Sequence, residues 1–157
     1  MKTLELNKPS ISVECIPEEL KACNQWVMYQ LIKKPGKDKP DKVPMQTNSS
    51  NASATNPKTW CSFDDVVSAL KKKDFGGIGF VFTSGDPYCG VDLDNCINPL
   101  TNIIEPWAKE WIDKFASYTE LSPSGTGIHI IVKGKLPSEK GKKKGGYEIY
   151  DQKRFFT

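Results

Sequence analysis

The sequence predicts an α+β fold in which helices pack on a mixed, largely antiparallel sheet. Two observations carry this prediction: short segments rich in strand-forming residues follow one another through hairpin-length links, and segments between them repeat apolar residues at helical spacing. The 157 residues correspond to about one domain, and 38% apolar residues are enough for one packed core. We therefore expect a single domain over residues 1–157.

The helices have recognisable starts. Ser62 is a good N-cap, and Asp65 three residues later resembles the second half of a capping box. Pro106 starts a further helix with an aromatic residue at every fourth position, namely Trp107, Trp111 and Phe115. This spacing indicates core packing rather than a ligand site. A shorter helix is expected over residues 16–21.

Seven segments have the composition of strands. They are residues 26–32, 78–82, 89–94, 118–121, 128–132, 147–151 and 154–157. The last two are expected to pair with each other across a tight turn. Residues 33–57 are rich in proline and lysine and predict a long loop or a basic hairpin.

Composition excludes several classes of protein. No apolar run approaches the roughly 18 residues of a membrane span, and the first eight residues lack the apolar core of a secretory signal. We therefore expect a cytoplasmic protein without membrane contact. The net charge of +3 identifies no partner, but lysines crowd into residues 33–42 and 133–144. Such clusters can neutralise phosphates, although a solvated loop is the commoner explanation for any one of them.

Asp92 and Asp94 form the sharpest chemical feature. Residues i and i+2 of a strand point to the same face, so two carboxylates would stand side by side, with Val91 and Leu93 on the other face. Two ionised carboxylates on a packed sheet are costly unless a cation holds them, and oxygen ligands suit Mg²⁺ or Mn²⁺. The alternative is a strand end with two exposed acids.

His129 and Glu148 are candidates on later strands. His129 is the only histidine and follows a turn of Gly, Ser and Thr residues, whose N–H groups and hydroxyls are of the kind that bind phosphate. It could equally be a structural residue after an ordinary hairpin. Glu148 lies between Tyr147 and Ile149, where a half-buried carboxylate needs a partner. Asp151 is its rival, but the nearby turn predicts exposure for Asp151.

Three motifs in this order resemble the archaeo-eukaryotic primase superfamily, and more closely its phage- and plasmid-type bifunctional primase–polymerases. The motifs are GVDLDN at residues 90–95, ELSPSGTGIH at 120–129 and YEIYD at 147–151, followed by RFFT at 154–157. Each motif alone is loose, but the ordered set is specific. The resemblance covers about residues 16–157.

The resemblance implies an N-terminal α/β unit and a C-terminal unit like an RNA-recognition motif, with the active site in the cleft between them. It implies template-directed nucleotidyl transfer, that is, a DNA primase or DNA polymerase of a phage, plasmid or other mobile element. The implied partners are a single-stranded DNA template, a primer strand, dNTP or NTP, and a fused or associated helicase. Two Mg²⁺ or Mn²⁺ ions would be held by Asp92, Asp94 and Glu148.

The same resemblance assigns nucleotide-binding residues. His129 with Ser124 would hold the incoming triphosphate, and His129 would stabilise developing charge rather than attack. Lys42 and Arg154 are further phosphate contacts. The rest of the turn is expected to take part through Ser122, Gly125 and Thr126.

Two other functions remain open at this point. Members of the family continue well beyond the position of Thr157, so the resemblance implies a domain that is truncated at its C-terminal end or is a minimal version. Such a chain could be a repurposed relative that binds nucleotide or single-stranded nucleic acid without extending a primer. A metal-dependent phosphodiesterase would use the same acids, but the chain has no second histidine to serve as a general acid.

Overall fold

The computed structural model describes residues 11–157, which form two antiparallel sheets, three α-helices and two short 3-10 helices. The first sheet contains β1 (Trp26–Ile32), β2 (Asp41–Met45), β3 (Gly77–Phe82) and β9 (Arg154–Phe156), in the order β2-β1-β3-β9. The second sheet contains β4 (Tyr88–Leu93), β5 (Tyr118–Leu121), β6 (Ile128–Lys133), β7 (Lys142–Lys144) and β8 (Tyr147–Tyr150), in the order β5-β6-β4-β8-β7. The α-helices are α1 (Glu18–Lys21), α2 (Phe63–Lys72) and α3 (Pro106–Phe115). The α+β class and the antiparallel pairing are confirmed.

Local sequence signals explain the starts of the elements. The Ser62 hydroxyl accepts a hydrogen bond from the Asp65 N–H at 3.2 Å, and the Asp65 carboxylate accepts one from the Ser62 N–H, which completes the predicted capping box of α2. Pro106 occupies the first turn of α3. The lysine-rich segment after β1 forms the basic hairpin, since Ile32 pairs with Asp41 and β2 runs antiparallel to β1. Within residues 11–157, no helix is long and apolar enough to span a membrane.

The second sheet has two differently packed faces. One face carries Val91 and Leu93 of β4 with Ile128 and Ile130 of β6, and these side chains are buried together with Ala108 of α3. The other face meets the first sheet through the edge-to-face contact of Tyr88 with Phe80, and Phe80 in turn contacts Phe82, which contacts Phe156 within the first sheet. The alternation of side chains along β4 and β6 thus separates a helix-packed face from a face that lies between the sheets.

The C-terminal strand corrects the sequence-based prediction. β9 pairs with β3, with Phe156 opposite Phe80 and Arg154 opposite Phe82, and the predicted pairing of residues 154–157 with residues 147–151 is therefore wrong. The chain leaves the second sheet at Asp151, which is 5% exposed and accepts a hydrogen bond from the Leu136 N–H at 2.9 Å. The predicted exposure of Asp151 is wrong because this contact holds the carboxylate inside the protein.

A second difference concerns the lysines of β7. These three residues carry no strand-forming signal, yet they pair with β8 along the outer edge of the second sheet. Lysines are a common means of keeping an exposed sheet edge from pairing with another chain. The position of the strand is set by its partner rather than by its own sequence.

We predict that Gly90→Ala destabilises the fold by about 1–3 kcal/mol, the usual cost of overpacking. Gly90 lies on β4 where the sheets approach, and a Cβ there would stand 2.5 Å from the Phe156 ring and 2.7 Å from the Phe82 ring. Urea unfolding measures the change. Gly134→Ala is the control, because a Cβ at Gly134 has no atom within 4 Å. Equal stability of the two variants would contradict the packing argument.

Candidate active site

The strand register brings the predicted acids and the histidine into one row. Asp92 of β4 lies opposite His129 of β6 on one side and opposite Glu148 of β8 on the other. His129 in turn lies opposite Glu120 of β5. Directly opposed residues point to the same face of a sheet. Because Val91 packs on the helix side, this row of four polar residues faces the first sheet.

A cleft of about 280 Å³ opens above three members of this row. Asp92, His129 and Glu148 lie on its second-sheet side, and Lys42 of β2 and Arg154 of β9 line it from the first sheet. Its other lining residues are Tyr150, Phe155, Phe156 and Thr157. The Lys42 ammonium donates a hydrogen bond to the Thr157 hydroxyl at 2.9 Å. The structure therefore brings five of the predicted site residues to one cleft.

His129 forms the floor of the cleft. Its side chain is buried, and the ring stacks on Phe156 with 4.5 Å between centroids and 22° between planes. Nε2 lies 3.7 Å from the Asp92 Oδ1, and Nδ1 lies 3.3 Å from the Glu120 Oε1. The burial of His129 is what a structural histidine would show. A carboxylate at each nitrogen also makes this ring a polar element of the site.

The charge of Asp92 is poorly compensated. Burial raises the pKa of the Asp92 carboxyl, and the neighbouring Asp94 and Glu148 raise it further, against the opposing effects of His129 and Lys42. Burial likewise lowers the pKa of Lys42, although the acids around it favour its charged form. The ionised Asp92 carboxylate is thus held at a cost that a bound cation would relieve.

Asp94 lies directly after β4, whereas the sequence predicts it within the strand. β4 ends at Leu93, and Asp94 follows in an exposed turn, where its N–H donates a hydrogen bond to the Gly146 carbonyl at 2.8 Å. Asp92 therefore lies within the strand, whereas Asp94 lies one residue beyond its end. The alternative of an acid at a strand end fits Asp94 but not the half-buried Asp92. Asp94 is still close enough to act on the pKa values of Asp92 and Lys42.

Glu148 is engaged by neighbours. Its carboxylate contacts the Lys143 ammonium and accepts a hydrogen bond from the Tyr150 hydroxyl. Partial burial would raise the pKa of Glu148, but Lys143, Tyr150 and Arg154 together hold it below its usual value. Glu148 therefore differs from Asp92, because its negative charge already has partners.

The donor set fits a hard divalent cation only in part. Asp92 and Asp94 offer carboxylate oxygens, and the charge of Asp92 is only partly compensated by its neighbours, which suits Mg²⁺ or Mn²⁺. Glu148 would join them only after giving up its contact with Lys143. Across residues 11–157, no group of three or more His, Cys, Asp or Glu side chains is already arranged around a metal position.

The side chains of the predicted phosphate-binding turn form hydrogen bonds within the turn. The hydroxyl of Ser124 lies 2.9 Å from that of Ser122 and 3.0 Å from that of Thr126, and the Gly127 N–H donates to Ser122 at 3.1 Å. Ser122 and Gly125 line a neighbouring cavity of about 520 Å³ that shares Phe156 and Thr157 with the cleft. Of the predicted nucleotide-binding residues, His129, Lys42 and Arg154 line the cleft, Ser122 and Gly125 line the neighbouring cavity, and Ser124 and Thr126 line neither.

Comparison with known proteins finds a relative, although no family model matches the chain. The DNA primase-polymerase of Nitratiruptor phage NrS-1 is 34% identical over 139 residues, which is 85% of this chain. The chain is a relative of that primase-polymerase. It spans 18% of the length of the phage protein, so the similarity concerns one part of a much longer polypeptide. The resemblance to primase–polymerases is confirmed at this level.

Sequence reasoning missed several residues at the site. Glu120 could have been found by counting outward from the turn, because a hairpin closed by Ser122 and Gly127 places Glu120 opposite His129. Phe156 and Thr157 gave no such signal. Their place in the cleft depends on β9 joining the first sheet, which is a long-range pairing.

We predict that Asp92→Asn stabilises the metal-free protein at about pH 7. The fold raises the pKa of Asp92, so its ionised form lowers the free energy of unfolding, and a neutral isostere removes that cost. The gain should be present at neutral pH and vanish below the unfolded-state pKa of about 3.9, where the carboxyl is protonated in both states.

Urea unfolding in the presence of a chelator, over a series of pH values, checks this expectation. Asp113→Asn is the control, because Asp113 forms an exposed pair with Lys109 on α3, which packs on the other face of the second sheet. Equal or lower stability of Asp92→Asn at neutral pH would show that Asp92 is well compensated.

Proposed function

We propose that the chain acts as a template-directed nucleotidyltransferase of the DNA primase–polymerase type. The observation that carries the proposal is the row of Asp92, His129 and Glu148 on three adjacent strands, facing a cleft that Lys42 and Arg154 line from the opposite sheet. The relationship to a phage DNA primase-polymerase supports the same function. The proposed substrates are a single-stranded DNA template, a primer strand and dNTP or NTP.

The separation of charge in the cleft fits a nucleotide with its counter-ions. The acids lie on the second sheet, whereas Lys42 and Arg154 come from the first. A triphosphate carries several negative charges and binds divalent cations. A site for it therefore needs basic residues that contact the phosphates and acidic residues that contact the cations, on different sides of one space. Lys42 and Arg154 would contact phosphate oxygens, and Arg154 would do so with a geometry suited to two oxygens at once.

The acids would hold Mg²⁺ or Mn²⁺. Asp92 and Asp94 are the primary ligands in this proposal, and Glu148 joins them when Lys143 withdraws. When bound, such cations would lower the pKa of the attacking hydroxyl and neutralise the charge of the leaving pyrophosphate. His129 keeps its Nε2 on the cleft side and stabilises charge on the phosphates.

One observation favours a second candidate, a relative that binds nucleotide or single-stranded nucleic acid without extending a primer. Glu148 is engaged by Lys143 and Tyr150, so the acids are not all available for cations in this conformation. Primer extension distinguishes the two candidates, because both predict nucleotide binding but only the first predicts product.

We predict that Asp92→Ala abolishes primer extension, with a loss of at least about 100-fold, comparable to removal of one group that stabilises a transition state. Mn²⁺ affinity should fall by at least about tenfold, the lower end of the effect seen when even a supporting residue of a metal site is changed. Extension with Mg²⁺ or Mn²⁺, with and without a primer, and calorimetric titration of Mn²⁺ measure these effects.

Asp113→Ala is the matched control, since it removes an exposed carboxylate from α3. Unchanged Mn²⁺ affinity in a folded Asp92→Ala variant would rule out the proposed metal position. Nucleotide binding by the wild-type protein without any extension would favour the second candidate.

We predict that the lysines of β7 bind the nucleic-acid backbone. Lys142 and Lys144 are exposed on the outer strand of the sheet that carries the acids, and Lys143 between them reaches Glu148 at the cleft. The double change Lys142→Gln and Lys144→Gln should weaken binding of single-stranded DNA similarly on all sequences, because phosphate contacts do not read bases. The slope of log affinity against log salt should flatten by about 0.7 for each phosphate that the variant no longer neutralises.

The control is the double change Lys71→Gln and Lys72→Gln at the end of α2, which removes the same charge from another element. Fluorescence anisotropy over a range of salt concentrations measures both. An equal effect of the two double changes would show that only net charge matters.

A further inference from the structure

We propose that Glu120 is a positioning residue for His129, which holds the imidazole so that Nε2 serves the cleft. The proposal deepens the proposed function and rests on it, since it adds a residue that acts through His129. Glu120 itself does not line the cleft of Asp92 but the neighbouring cavity. Glu120 acts on the cleft only through its contact with the His129 ring.

The contact between the two residues involves Nδ1 alone. The Glu120 Oε1 lies 3.3 Å from Nδ1, on the side of the ring that faces β5. A carboxylate only accepts hydrogen bonds, so this contact keeps a proton on Nδ1. On the other side, Nε2 lies 3.7 Å from the Asp92 Oδ1, which is too long for a direct hydrogen bond. Nε2 is therefore the nitrogen left to meet a ligand, and it donates a hydrogen bond to a phosphate oxygen when it carries the second proton of the ring.

The Glu120 carboxylate is itself held in place. Its second oxygen, Oε2, accepts a hydrogen bond from the Tyr118 hydroxyl at 2.7 Å. Tyr118 and Glu120 are two residues apart on β5 and share a face. Burial and the adjacent Glu120 both raise the pKa of Tyr118, so the phenol remains a donor over the whole neutral range. The chain of contacts runs from Tyr118 through Glu120 to His129.

Packing restricts the ring in the remaining direction. The stack on Phe156 covers one face of the imidazole, and the side chain is 5% exposed. Stacking fixes the plane of a ring but does not distinguish its two nitrogens. The carboxylate at Nδ1 makes that distinction, which is the specific contribution assigned to Glu120.

The first test uses the single histidine of the chain. Heteronuclear NMR of the imidazole nitrogens reports which of them carries the proton, and only one set of side-chain signals is present. At a fixed, slightly alkaline pH, the wild-type ring should be protonated on Nδ1. Glu120→Met, which keeps the length of the side chain but removes the acceptor, should lose this preference, and Glu120→Gln should retain it through its amide oxygen.

The second test is kinetic. Glu120→Met should raise the KM for the nucleotide by about 10–100-fold, the range in which supporting residues of a site act. Glu120→Gln should stay within about threefold of the wild type, which a purely electrostatic role of Glu120 would not allow. Glu110→Met, an exposed position on α3, is the control.

The outcomes separate the two proposals. Retained Nδ1 protonation in a folded Glu120→Met variant would overturn the role of Glu120, whatever the activity. If Glu120→Met does not fold, the same NMR measurement on Glu120→Ala decides. A wild-type protein with Nδ1 protonated by way of Glu120 but without primer extension would overturn the proposed function and leave the positioning contact intact.

Discussion

The register of β4 between β6 and β8 is the constraint on which the site depends. Asp92 stands opposite His129 and Glu148 only in this register, and a slip of one residue would turn Asp92 towards α3. The register is fixed from the other face, where Val91 and Leu93 are almost completely buried against the helix. The hydrophobic side of the strand therefore specifies the position of the polar side.

β9 supplies the second requirement by returning the chain to the first sheet. Phe156 contacts Phe82 of that sheet and stacks on His129 of the other, so one ring joins the core to the floor of the cleft. Arg154 and Thr157 reach the cleft from the same segment. The close approach of the sheets at this point depends on the absence of a side chain at Gly90.

What the sequence predicts well is local, and what it misses is long-range. The capping box of α2 and the face shared by Asp92 and Glu148 follow from spacing along one element and from the resemblance of the motifs. Two features do not follow from local spacing: the pairing of β9 with β3, and the strand formed by the three lysines. Both depend on the choice of a strand partner, which is set by packing against distant residues. The burial of Asp151 has the same origin, since its partner is the Leu136 N–H.

The two acids that face each other across the strands are not equivalent as cation ligands. The pKa of Asp92 is raised, so its ionised form is under-compensated, whereas the pKa of Glu148 is lowered by the partners it already has. A cation that approaches Asp92 relieves an existing cost, but a cation that approaches Glu148 must first replace Lys143. Binding at the site is therefore expected to begin at Asp92. The lysine released from Glu148 then lies on the edge strand that flanks the cleft, where its charge is available to a phosphate.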